Sequence, residues 1–235
     1  LNPLFRIEEA YKSGTLPENV YQLITERAPI AYAGIDRIER ASGITFPISY
    51  IEPAILVTPH DPSTFQFGIM YARTIPIVLN DKIQVVIQIC APLVAYGLKG
   101  TIHAVLAHEF LHYLELLRRI SQMRMLSDEI TGSIFESVYA DESRLFEPQA
   151  VFADRTLVRH ITTKFPAGFR DYKLEDKVVK MWIERGLLKS GIALDRNFTR
   201  MSAEKLASAP LDSEFVSKLD EIESKSERIR KRIRY

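Results

Sequence analysis

The stretch AVLAHEFLHYLELL, residues 104–117, sets His108 and His112 four residues apart, with Glu109 directly after the first histidine. On a helix, positions i and i+4 lie about 40° apart around the axis with Cβ atoms about 5–6 Å apart, so two imidazoles can converge on one ion. Zinc accepts such a pair and leaves room for a further protein ligand and a water. Glu109 is turned about 100° from His108, beside the ion rather than on it, where a carboxylate can take a proton from a metal-activated water. The chemistry open to these three residues together is hydrolysis. The rival reading, two core histidines beside an unrelated surface glutamate, is weakened by the context: Gly100 and Thr101 supply a helix start, with Thr101 the expected N-cap, and apolar residues flank the motif. Leu106, Phe110 and Leu114 are expected to anchor the helix in a core.

The elements around this helix follow from periodicity. Residues 1–46 form a helical lead-in: Val20, Leu23, Ile24, Ile35 and Ile38 recur at helical spacing and Gly43 supplies a stop. Residues 47–80 change character, with AILVT, FQFGIMYART and TIPIVLN reading as strands of a small sheet around the turn-rich PHDPST. Residues 81–190 are expected to be mostly helical and to carry the metal site, including the segment 81–100. Residues 191–235 turn polar and end in a charged helical extension. The fold class expected is α+β, a single catalytic domain over 1–190 with the extension appended.

HEFLH preceded by the short strand TIPIVLN resembles the active-site helix and neighbouring strand of the zincin metallopeptidases. The resemblance implies a zincin-like domain, a Zn²⁺ cofactor held by His108 and His112, and Glu109 as the general base of peptide-bond hydrolysis. It also implies a peptide or protein substrate lying extended along residues 74–80, where Pro76 suits an edge strand because it cannot donate to a ladder. A third ligand is then needed downstream. The metzincin pattern would place glycine and histidine at the positions held by Glu115 and Arg118, so that branch is excluded. The gluzincin arrangement, a glutamate from a later helix, leaves Glu147, Glu136 and Glu142. FEPQAVFAD favours Glu147 because it is similar to the third-ligand helix of compact gluzincins, the minigluzincins among them, with Ala150 as the small residue that lets two helices approach. Asp154, seven residues on, would share a helix face with Glu147 and could orient a ligating imidazole. Glu136 in SIFESVYAD is the alternative third ligand. Candidates for stabilising the oxyanion are His160, Tyr139 and Tyr172; His103 points to another helix face and is expected in the core, and His60 falls in a turn.

Composition limits the other classes. With 31 basic against 30 acidic residues the net charge is +1, which gives no global pull toward nucleic acid or an anionic membrane. The most apolar window, IQVVIQICAPLVAYG, is too short and too interrupted to span a bilayer, and no secretory signal opens the sequence. The lone Cys90 sits in an apolar run, as a buried thiol of a cytoplasmic protein would. In the extension, Phe215, Leu219, Ile222, Ser226, Ile229 and Ile233 make a narrow helical seam, expected to pack back on the body. The run from Arg228 to Arg234 offers a second reading, contact with nucleic acid or an acidic partner, though without an aromatic stacking platform. A metal-stabilised scaffold or regulator without turnover is the third; Glu109, which a purely structural site does not need, argues against it.

Overall fold

A computed structural model describes residues 2–58, 68–79, 82–122, 146–166, 168–191 and 211–233. The lead-in is helical as expected: α1 (Phe5–Lys12) and the long α2 (Glu18–Ser42), whose buried Val20, Ile24, Ala28, Ala31, Gly34 and Ile38 form one stripe at steps of three or four. Gly43 ends α2 in the left-handed region at φ 63°, a conformation that costs glycine nothing.

Two three-stranded sheets follow. In the first, β1 (Ser49–Glu52) runs parallel to β5 (Lys82–Cys90), and β4 (Ala72–Leu79) runs antiparallel to the other side of β5, in the order β1-β5-β4. In the second, β2 (Ile55–Thr58) lies between β3 (Gly68–Met70), antiparallel, and the late strand β6 (Lys189–Gly191), parallel. The chain is thus α+β with mixed sheets. The expected helical start of the 81–190 region is corrected here: residues 82–90 are the central strand of the first sheet. Val85, Val86, Ile87 and Ile89 are β-branched and buried, and the polar Gln88 finds partners on both neighbouring strands, donating to Glu52 (2.8 Å) and accepting from Arg73 (2.5 Å).

After a short α3 (Ala91–Tyr96) comes α4 (Lys99–Ser121), the helix that carries the motif. Every residue from Thr101 to His112 is buried. α2 and a later helix, α6 (Arg155–Lys164), flank it, and β4 and β5 pack beneath. Leu106, Phe110 and Leu114 are fully buried, and Phe110 stacks on Phe46 at 5.4 Å. The helix begins one turn earlier than expected. Leu98 is its N-cap, and the hydroxyl of Thr101 instead donates to Asp171 (2.8 Å).

The remaining elements are α5 (Pro148–Val151), α7 (Tyr172–Val178), which runs on into a π-helical turn over Val179–Ile183, and α8 (Ser213–Ile233). The seam of α8 packs back against α4 and α5, with Leu219, Ile222 and Ser226 buried. Arg118 of α4 pairs with Asp220 and Glu223 of α8, the latter at 2.7 Å. Among the described residues no helix is long and apolar enough to cross a membrane.

Candidate active site

The two motif histidines meet. His108 and His112 are 7% and 2% exposed, their rings stand nearly perpendicular at 88°, and their Nε2 atoms lie 2.9 Å apart. The i, i+4 spacing brings both side chains over the same strip of α4, where Phe165 lies against His108 and Glu115 against His112. A tetrahedral zinc with bonds of about 2.0–2.1 Å to each nitrogen would hold them about 3.3 Å apart. The observed pair therefore needs only a small parting to admit the ion, and imidazole is a suitable donor for it.

A carboxylate stands behind His112. Glu115, one turn on and 1% exposed, places Oε2 at 3.4 Å from His112 Nδ1, while its Oε1 accepts the Phe146 N–H at 3.4 Å. This contact favours the proton on Nδ1 and leaves the Nε2 lone pair facing His108. The face of His108 is covered by the ring of Phe165, stacked at 3.8 Å between centroids and 7° between planes.

Glu109 is buried (4% exposed) under β4, where the Thr74 hydroxyl lies 3.0 Å from both its Oε2 and its main-chain oxygen. Burial pushes the Glu109 carboxyl above the usual carboxylate range, opposed by the neighbouring His112 and by the Thr74 hydrogen bond. β4 is the edge of its sheet among the described strands. A cavity of about 250 Å³ opens beside the motif. Its walls are the chain from Gly68 to Ala72, the α4 residues Val105, His108 and Glu109, and Phe165, Gly168 and Phe169. It is lined mainly by apolar side chains, with Glu109 and His108 bringing a carboxyl and an imidazole to its wall.

Two of the sequence-derived site residues stand in other local surroundings than expected. Glu147 stands just before a helix rather than within one. It is the N-cap of the four-residue α5, its Oε1 lies 3.5 Å from Arg230 Nε, and its N–H donates to Ser226 (2.9 Å). Among the described residues no three His, Cys, Asp or Glu side chains gather as a metal-holding group. Asp154 does not share a helix with Glu147 either, because the chain becomes extended at Phe152 and α6 starts afresh at Arg155. Its carboxylate caps α6 through the N–H groups of Thr156 and Leu157 and takes a two-pronged pair from Arg37 (2.7 and 3.0 Å). Arg37 in turn approaches His103, not a motif histidine (3.4 Å). Glu136 and Glu142 lie outside the described residues, as do Tyr139 and His60.

His103 is a core residue as expected. Its Nε2 donates to the Ile30 carbonyl (3.1 Å), and burial pushes its pKa down, against the raising effect of that hydrogen bond. His160 packs against Gly100, and Tyr172 is 76% exposed; neither lines the cavity. Thr74 and Phe165 are site residues that sequence reasoning missed, and Glu115 was expected to pair with Arg119, four residues on, rather than to serve the metal. Glu115 had a local signal, its i+3 spacing from His112; Thr74 and Phe165 arrive from other elements and had none.

The placement of Asp154 has a measurable consequence. Hydrogen bonds from Arg37, with those from Leu157 and Thr156, hold its carboxyl down at about 2. A depressed acid stabilises the fold above its unfolded pKa of about 3.9, and that stabilisation disappears as the pH falls toward 2. Asp154→Ala should therefore lose about 1–2 kcal/mol of unfolding free energy at pH 7, from cap and ion pair together. The difference from wild type should shrink between pH 4 and 2 in denaturant titrations, with zinc affinity unchanged. Weaker zinc binding at unchanged stability would return Asp154 to the metal.

Comparison of the chain with protein-family models, with curated proteins and with solved structures finds no match in any of the three.

Proposed function

We propose that this protein is a zinc-dependent metallopeptidase of the zincin type, with gluzincin-like ligation. The observation that carries the reading is the meeting of the His108 and His112 Nε2 atoms at 2.9 Å with Glu109 buried on the next residue. His108 and His112 would hold Zn²⁺. Glu147 is the described candidate for the third ligand, since its neighbour Phe146 is tied to Glu115 and so brings the chain to the motif helix; Arg230 is its partner in the present arrangement. Zinc held there supplies Lewis acidity toward a water and a carbonyl oxygen.

The chain's own residues supply the rest. Glu109 takes a proton from the attacking water as the carbon–oxygen bond forms, and passes it to the amine nitrogen as the carbon–nitrogen bond breaks. Burial favours its protonated form, the form that the second proton transfer needs. Thr74 holds the carboxylate in place through its hydroxyl. Glu115 keeps the His112 ring turned with Nε2 toward its partner. β4 offers the main-chain groups of a sheet edge to an extended peptide along residues 74–79, Asn80 of the expected stretch lying outside the described residues.

The test is metal analysis joined to cleavage of unfolded protein substrates. One bound zinc per chain is expected, with cleavage that stops on chelation and returns on adding zinc. A purified protein that takes up no zinc, or whose cleavage ignores the chelator, would overturn the reading.

A further inference from the structure

His112 is steadied by a carboxylate, whereas His108 is steadied across its face. The Phe165 ring lies parallel to the His108 imidazole, 3.8 Å between centroids, and both side chains are buried. A histidine on a helix can still turn about its second side-chain torsion, which swings Nε2 out of line. Turning the ring against a flat neighbour at van der Waals distance drives its atoms into that neighbour, so the stack resists the rotation.

Phe165 is itself firmly placed. It closes the C-terminus of α6, donating its N–H to Ile161 (2.9 Å). The turn that follows is drawn shut twice, by the Arg170 N–H to the Lys164 carbonyl (2.7 Å) and by the Lys164 ammonium to the Asp171 carboxylate (2.5 Å). Asp171 also accepts the hydroxyl of Thr101, seven residues before His108 on α4. The stacking ring is thus clasped to the same helix that carries the histidine. Phe169 packs against the Phe165 ring at 5.2 Å, and Tyr71 against Phe169 at 5.0 Å, so the ring sits in a row of aromatic side chains along the cavity wall.

We propose that Phe165 is a positioning residue: stacked on His108 and clasped by Lys164, Asp171 and Thr101, it fixes the plane of that imidazole so that Nε2 faces the place shared with His112. The role in metal binding rests on the zinc reading above; the orientation of the ring does not.

Two variants separate orientation from mere packing. Phe165→Leu keeps an apolar side chain but removes the flat face, and Phe165→Tyr keeps the face. Zinc affinity is measured by competition with a chromophoric chelator, and site geometry by the visible spectrum of the cobalt-substituted protein. Phe165→Leu should bind zinc about threefold to tenfold more weakly, a range set by the usual strength of an aromatic stack, and should shift the cobalt bands. Phe165→Tyr should restore both. In metal-free protein the His108 ring protons should resonate upfield through the phenyl ring current, and lose that shift in Phe165→Leu. Wild-type affinity and an unchanged cobalt spectrum in Phe165→Leu would overturn the proposal. If the wild type takes up neither metal, the peptidase reading fails by itself, and the ring-proton shifts decide the positioning: present and lost in Phe165→Leu they support it, and equal in both proteins they overturn it.

Discussion

Glu109→Gln should lower kcat by about 10²–10⁴-fold, the span over which a positioned proton-transfer group contributes. The substitution keeps the shape of the side chain, and the Thr74 hydroxyl, 3.0 Å from Oε2 in the wild type, can still donate to an amide oxygen. What is lost is a group able to accept a proton from water and return it. Zinc content should be unchanged, because the residue stands beside the two proposed ligands rather than among them. Stability should hold or rise, since the variant no longer buries an ionisable carboxyl whose pKa is pushed up by desolvation. With Glu109 as the proposed base, kcat/KM should fall on the acid side as its carboxylate is protonated, a limb that burial moves toward higher pH. That acid limb should be missing from any residual activity of the variant. Steady-state cleavage and zinc analysis on the same preparation decide the matter, and equal turnover by both proteins at full zinc occupancy would remove Glu109 from the mechanism.

Glu115→Gln should weaken zinc binding by about 10–100-fold, the usual cost of losing a carboxylate behind a ligating histidine. Glu115 is 1% exposed and divides its two oxygens between the His112 ring and the Phe146 N–H. An amide can serve one of these as acceptor but turns its NH₂ toward the other, so either the ring loses its acceptor or the Phe146 N–H is left unmet. The loss of negative charge also makes His112 a poorer donor to a cation. Competition with a chelator reads the affinity directly. An unchanged dissociation constant would show that Glu115 serves only the fold.

The part of the site legible in the sequence is the part that is local. A spacing of four residues from histidine to histidine is a helical repeat, so the convergence of His108 and His112 could be read without a fold, as could the burial of Leu106, Phe110 and Leu114 on the same helix. The stop at Gly43 is equally local. What failed depended on continuity or on distant partners. The face shared by Glu147 and Asp154 presumed one helix, and the chain straightens at Phe152 between them. The run from Lys82 to Cys90, with Gln84 and Gln88 spaced by four, fits a helix face as well as a strand; Gln88 is settled by Glu52 and Arg73, which no window around it contains. Thr74 and Phe165 reach the motif only through tertiary packing.

The docking of α8 has a thermodynamic consequence. Ser226 of that helix receives the N–H of Glu147, the adjacent Phe146 gives its own N–H to Glu115, and Glu115 faces His112. A continuous polar relay therefore joins the C-terminal helix to a proposed zinc ligand. With zinc at the proposed site, linkage would run equally in both directions: any factor by which a seated α8 tightened the hold on zinc would be the factor by which zinc tightened the seat of α8.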